Sequence, residues 1–232
     1  MVNCSSITQD MPIGIITYDF NHLKTQTLVS GLINTKGYRN IKLIALPFKT
    51  REQRQEVFSH RPSQFNAKTT KQIAADYNLE FINWNGKDRL HSCEIYLIGG
   101  AGILDAFAIK ESKIVNAHGG IIPSVRGLDS FKWAIYHQRK MGVSLHYIDE
   151  RVDVGELISI KHTKLFSHDS IEDFANRHYQ LELDMLINFE YHINNPSISI
   201  HESFPPTMRM PSEKEKEIVL KFKEYKHKFV EA

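Results

Sequence analysis

Cysteine is nearly absent. Two thiols in 232 residues, Cys4 and Cys93, without CxxC spacing, exclude a disulfide-stapled miniprotein and suit a reducing compartment or indifference to redox. Charge of one sign is missing too. The 29 basic and 27 acidic residues leave a net charge of +2, too small for a broad nucleic-acid or membrane footprint. No run approaches the roughly 18 apolar residues of a membrane span. The first ten residues lack the charged start and apolar stretch of a secretory signal and read as a flexible segment, so a cytoplasmic protein is expected. His91, His137, His146, His162 and His168 show neither HxxxH nor carboxylate ligand spacing, and no metal is expected. No internal repeat or low-complexity tract interrupts the chain.

What is present is the composition of a globular protein, 41% hydrophobic, 10% aromatic and 24% charged. From Ile13 a near-continuous apolar run predicts a strand buried on both faces, and an amphipathic stretch capped by Asn21 follows, closing near Gly37. The pattern repeats with a strand at Ile41 to Phe48, a helix around Ile73, Ala74 and Tyr77, and runs at Leu79 to Trp84 and Glu94 to Ile98 flanking an Asn85-Gly86-Lys87-Asp88 turn. A short helix is expected within Ile103 to Ile109, a strand at Lys113 to Val115 and a helix from Asp129 to Gln138. Alternation of this kind implies right-handed βαβ units and a mostly parallel sheet, with ligands beyond the C-terminal strand ends. Val143 to Ile148 and Glu156 to Leu165 alternate as late, half-exposed strands. Asp169 with Glu172 suggests a capping box for one long helix ending at Asn194-Asn195-Pro196. A last helix is opened by Ser212 and Glu215, and its stripe of Ile218, Phe222, Tyr225 and Phe229 suits docking on its own domain or on a twin subunit. The expected organisation is residues 1–10 flexible, 11–193 catalytic and 194–232 a C-terminal extension.

The chemistry concentrates at Asn116-Ala117-His118-Gly119-Gly120. Two residues apart on an extended backbone, the amide and the imidazole point to the same side. An amide NH2 can stabilise an oxyanion and an imidazole near neutral pKa can move a proton, as an amine attacking a carbonyl requires. The adjoining glycines allow close approach of backbone to a ligand. An acidic loop, Asp149 to Gly155, could bring a carboxylate back to orient the imidazole.

Taken together, Asn116-x-His118, Ile121-Ile122-Pro123, Arg126-Gly127, Gly142 to Glu150 and Val152-Asp153-x-Gly155 resemble the N10-formyltetrahydrofolate-dependent formyltransferases, over roughly Ile95 to Ile160. The resemblance implies an α/β, Rossmann-like formyltransferase fold with a mostly parallel sheet, late antiparallel strands and a C-terminal helical extension. It implies Asn116, His118 and Asp153 as the catalytic trio. It also implies a pterin pocket built from Ile98, Gly99, Gly100, Ala101, Gly102, Ile103 and Leu104 together with Tyr147, Asp149 and Val152. The family often has Pro-Ser-Leu-Leu-Pro after the histidine; Gly119-Gly120-Ile121-Ile122-Pro123 departs from that.

The acceptor divides the family. Members acting on glycinamide ribonucleotide carry a Gly-rich phosphate loop after the first strand, where this chain reads Tyr18-Asp19-Phe20-Asn21-His22-Leu23-Lys24. Methionyl-tRNA formyltransferases append a sizeable basic domain, whereas only about seventy residues follow Leu165. The resemblance is strongest to nucleotide-sugar N-formyltransferases, which act on a nucleotide-linked amino sugar for surface polysaccharide biosynthesis. Arg61, Arg126, Lys132 and Trp133 are candidates for a pyrophosphate and a base, and Gly119 and Gly120 for the acceptor's surroundings. Formyl transfer to glycinamide ribonucleotide, hydrolysis of the formyl-folate, a folate binder without turnover, and a homodimer formed through the terminal helix are the remaining alternatives.

Overall fold

The apolar run at Ile13 becomes strand β1 (Ile13–Tyr18), buried from Ile13 through Thr17. In a computed structural model, which describes residues 7–48, 56–149 and 155–230, it is the middle of a parallel array. β1 pairs in parallel with β2 (Ile41–Leu46) on one side and β4 (Ile95–Ile98) on the other. β2 pairs in parallel with β3 (Glu80–Asn83), and β4 with β5 (Ile114–His118). β6 (Gly142–Tyr147) then pairs antiparallel with β7 (Leu157–His162). The strand order β3-β2-β1-β4-β5-β6-β7 is the mostly parallel α/β sheet that alternating apolar runs and amphipathic segments specify. No helix among the described residues is long and apolar enough to cross a membrane.

The chain divides into two compact units. Residues 1–50, 63–116 and 186–191 form the first; residues 51–62, 117–185 and 192–232 form the second. In the first, α1 (Leu23–Ser30) runs into a π-helical turn, Gly31–Thr35, and stops before Gly37, whose φ of 77° only glycine adopts without strain. α2 (Thr70–Asp76) opens on a full capping box between Thr69 and Gln72, and α3 (Ala106–Ile109) on Asp105. In the second unit α4 (Ser130–Tyr136) and α7 (Ser212–Phe229) share one apolar core. α5 (Ile171–Ile187) supplies Phe174 to that core before the chain passes to α6 (Phe189–Asn194).

Several sequence expectations are corrected by packing. The residue before α1 is His22, because the Asn21 amide donates to the Ala67 carbonyl instead (2.6 Å). β6 is buried along nearly its whole length rather than half-exposed, because it is an interior strand of the sheet with β7 on its far side. The reciprocal cap of α5 is made by Ser170 and Asp173, one residue later than expected, since Asp169 is engaged by Arg177 at 2.6 and 2.9 Å. α7 starts without a side-chain cap, because its cap position is Pro211 and not Ser212, and Glu215 turns inward, fully buried, to the Lys132 ammonium. The stripe Ile218, Phe222 and Tyr225 is spent inside its own unit, at about 1.5–3 kcal/mol for each large side chain removed from water, and so gives no ground for a twin subunit. The segment 194–232 thus carries a helix that belongs to the second unit's core.

Candidate active site

Strand β5 places Asn116 and His118 on alternate residues, so both side chains leave the same side of the strand. His118 is 8% exposed. Its Nε2 lies 3.0 Å from the Val125 carbonyl oxygen and 3.2 Å from Ser130 Oγ. A carbonyl only accepts, so Nε2 carries the hydrogen and Nδ1 is the ring nitrogen able to accept a proton. Ser130 Oγ donates to the Gly127 carbonyl (2.9 Å), which leaves its lone pairs toward the imidazole. The ring of His146 stands edge-on to His118 with centroids 6.5 Å apart.

The two glycines after His118 have a steric reason. A Cβ on Gly120 would lie 2.5 Å from the Val125 oxygen and 2.9 Å from His118 Nε2, so only glycine lets that carbonyl reach the imidazole. A Cβ on Gly119 would lie 2.6 Å from Glu182 Oε1, 3.1 Å from His178 Nε2 and 3.3 Å from an Arg61 guanidinium nitrogen. A buried carboxylate, a buried imidazole and a half-exposed guanidinium therefore converge on the backbone next to the catalytic candidate. Arg61 donates to both Glu182 oxygens, at 2.7 and 3.0 Å, and Glu182 is 1% exposed. His178 Nδ1 and Thr163 Oγ1 are 2.7 Å apart. Burial, opposed in part by the Glu182 carboxylate and aided by Arg61, pushes the His178 imidazole down to about 4. Burial, with Arg61 and Lys132 nearby, takes His60 down to about 3. Both rings are neutral at physiological pH.

Sequence reasoning named Arg61 and Gly119 but missed Glu182 and His178. Both lie on α5, where their spacing reads as a helix face. The usable signal was a Glu and a His falling on the apolar stripe at Phe174, Ala175 and Met185.

The other candidates are placed variously. Ile98 is buried at the end of β4, and the amides of Gly99 and Gly100 both donate to the Ile16 carbonyl, at 2.9 and 3.1 Å. Ala101 to Leu104 form an open loop in which Ile103 is 90% exposed and Gly102 has nothing close to its Cβ position. This loop offers an apolar side chain and accessible backbone in the first unit, as a flat heterocycle needs. Tyr147 donates its amide to the Glu156 carbonyl (2.9 Å), and a Cβ on Gly155 would overlap the Tyr147 oxygen. That pairing draws together the two ends of the acidic loop, with half-buried Asp149 on one of them. Val152 and Asp153 lie outside the described residues.

Arg126 donates from Nε and Nη2 to the Phe204 carbonyl (3.3 and 2.9 Å) while its own carbonyl accepts from Thr207. Lys132 and Trp133 are corrected to core residues. The Lys132 side chain is 2% exposed against Glu215 and lies over the Phe58 ring, and the Trp133 indole donates to the Met208 carbonyl (2.7 Å) within the second unit's core. Among the described residues no group of three or more His, Cys, Asp or Glu side chains could hold a metal ion.

Comparison with known proteins bears on this arrangement. Residues 99–189 match a family model described as formyl transferase. A phosphoribosylglycinamide formyltransferase of Bacillus subtilis is 31% identical over 98 residues, 40% of this chain and 50% of that protein. The chain's match thus spans about half the length of that curated relative. Among solved structures, an N-formyltransferase from Helicobacter canadensis, in complex with folinic acid and dTDP-3-aminofucose, superposes with a TM-score of 0.62 at 15% identity, over 93% of this chain and 82% of that one. A sugar N-formyltransferase from Shewanella gives a TM-score of 0.60 at 13% identity, over 91% and 87%. The β5 motif and the converging groups at Gly119 both fall within the segment that matches the formyl transferase family model or pack on it, and the chain shares its fold with solved formyltransferases.

Proposed function

We propose that the chain transfers a formyl group from N10-formyltetrahydrofolate to the amino group of a nucleotide-linked amino sugar, a cytoplasmic step toward surface polysaccharide. The observation that carries the chemistry is the fixed tautomer of His118 beside Asn116 on β5. The substrate's neutral amine attacks the formyl carbon, and the carbonyl oxygen becomes an oxyanion that the Asn116 amide stabilises. His118 Nδ1 accepts the proton released from the amine, its Nε2–H remaining on the Val125 carbonyl. The C–N10 bond then breaks and the same proton passes to N10, releasing tetrahydrofolate and the formamide. Asp153 is assigned to steady the imidazolium. No oxidant, metal or covalent enzyme intermediate is needed to balance the step.

Support for a sugar acceptor comes from the fold shared with sugar N-formyltransferases over nine-tenths of the chain. A second reading, glycinamide ribonucleotide as acceptor, is favoured by the Bacillus relative. Against it stands the turn at Tyr18 to Lys24, which has no glycine.

The test is a mass-spectrometric assay with N10-formyltetrahydrofolate, a panel of nucleotide-linked amino sugars, and glycinamide ribonucleotide. Formamide product on a sugar, reduced about 10²–10³-fold in Asn116→Ala and His118→Ala, is the expected result. Product on glycinamide ribonucleotide alone would select the second reading. Rates within threefold of wild type in both variants would refute the mechanism.

A further inference from the structure

At the C-terminal ends of β1 and β2, where ligands of parallel sheets sit, the first unit carries a knot of five rings. Phe20 and Phe48 are stacked with centroids 4.5 Å apart and planes at 14°. Phe65 stands edge-on to both, at 5.6 and 5.9 Å. Tyr18 meets Phe48 at 5.6 Å and His22 at 5.9 Å, again edge-on. Phe20 and Phe65 are nonetheless 38% and 55% exposed.

The backbone that carries Tyr18 and Phe20 is tied down by hydrogen bonds. Thr70 donates from its hydroxyl to the Tyr18 and Phe20 carbonyls (2.6 and 3.0 Å), and Asn21 to the Ala67 carbonyl (2.6 Å). Exposed rings that already pack on one another over a tied backbone make a stacking surface with less left to order on binding.

The same turn is unsuited to phosphate. A helix start binds phosphate through open amides, but the Leu23 amide donates to the Gln64 carbonyl and the Lys24 amide to Gln64 Oε1, both at 2.9 Å. The preceding Asp19 amide is taken by the Leu46 carbonyl (2.7 Å), and the Asp19 carboxylate adds negative charge, answered by Lys71 at 3.1 Å. A planar, uncharged ring fits this place better than an anion does.

We infer that the surface formed by Phe20, Phe48 and Phe65 is the platform on which the nucleobase of the acceptor stacks. The inference rests on the proposed nucleotide-linked acceptor and deepens it, since a substrate without a base would gain nothing here.

Calorimetric titration tests it with dTDP, UDP, GDP and ADP, ribose 5-phosphate as the base-free control, and folinic acid as the folate probe. Wild type, Phe20→Ala, Phe65→Ala and Phe20→Trp are compared, with thermal melts to verify folding. At least one nucleotide binds wild type below 1 mM as expected; each alanine variant weakens it by roughly 5- to 100-fold, the weight of one base–aromatic stack. Phe20→Trp stays within threefold, ribose 5-phosphate binds no better than buffer, and folinic acid affinity is unchanged throughout. Should an alanine variant melt early, Phe65→Leu, which keeps apolar bulk but removes the ring, replaces it. Nucleotide affinity equal in wild type and alanine variants, absence of nucleotide binding, or loss of folinic acid instead of nucleotide would overturn the platform. Failure of the formyltransferase reading shows differently, as folinic acid that binds no form of the protein.

Discussion

Gly120→Ala tests the reasoning about the His118 tautomer without needing any substrate. The added methyl would sit 2.5 Å from the Val125 carbonyl oxygen and 2.9 Å from His118 Nε2, against an ordinary contact of 3.4–4 Å. Neither neighbour is the far end of a flexible chain, because one is backbone and the other a ring already 8% exposed. The 3.0 Å bond between them must therefore open. Losing it and leaving the buried Val125 carbonyl unsatisfied costs about 1–3 kcal/mol. For a chain of this size that lowers Tm by about 2–12 °C. Calorimetry measures the first consequence, and long-range ¹H–¹⁵N correlation of the imidazole the second. Wild type should show the hydrogen on Nε2; the variant should show tautomer exchange or the other tautomer. A melting point within about 1 °C of wild type together with an unchanged Nε2–H signal would refute the argument.

Two further predictions concern buried charge. His178 and His60 are held neutral, with folded-state values of about 4 and about 3, below the value of about 6.5 for an unfolded chain. Depressed folded values mean the unfolded chain binds the protons first. Stability is therefore complete above about pH 6.5 and falls by about 1.4 kcal/mol per pH unit per imidazole down toward pH 4. Urea midpoints measured from pH 7 to 4.5 should fall steeply in wild type and less steeply in His178→Gln; parallel curves would contradict the assignment. Lys132→Met should destabilise by about 3–5 kcal/mol by stranding the Glu215 carboxylate, and Lys132→Met with Glu215→Leu should restore most of the loss in the same urea assay. A single variant as stable as wild type would refute the claim that the buried pair must stay matched.

The strands were legible because burial on both faces leaves near-continuous apolar runs, as Ile13 to Thr17 and Ile95 to Ile98 show. The ends of helices were less so. Asp169 and Ser170 are both good caps, and what decided between them was Arg177, two helical turns away, drawing Asp169 off. Glu215 has the spacing of a capping residue, yet an ammonium from α4 draws it inward.

By itself the sequence determined the parallel α/β frame, the extended backbone that aligns Asn116 with His118, and the match of residues 99–189 to a formyl transferase family model. These depend on periodicity and on residues adjacent along the chain, which a linear reading contains. Tertiary structure alone decided that His118 keeps its hydrogen on Nε2, that Gly119 faces Glu182 and His178 of α5, and that Lys132 is an interior ion rather than a ligand's cation. Each of those outcomes depends on distances between groups remote in sequence, and hydrogen bonding and burial energies change within an ångström.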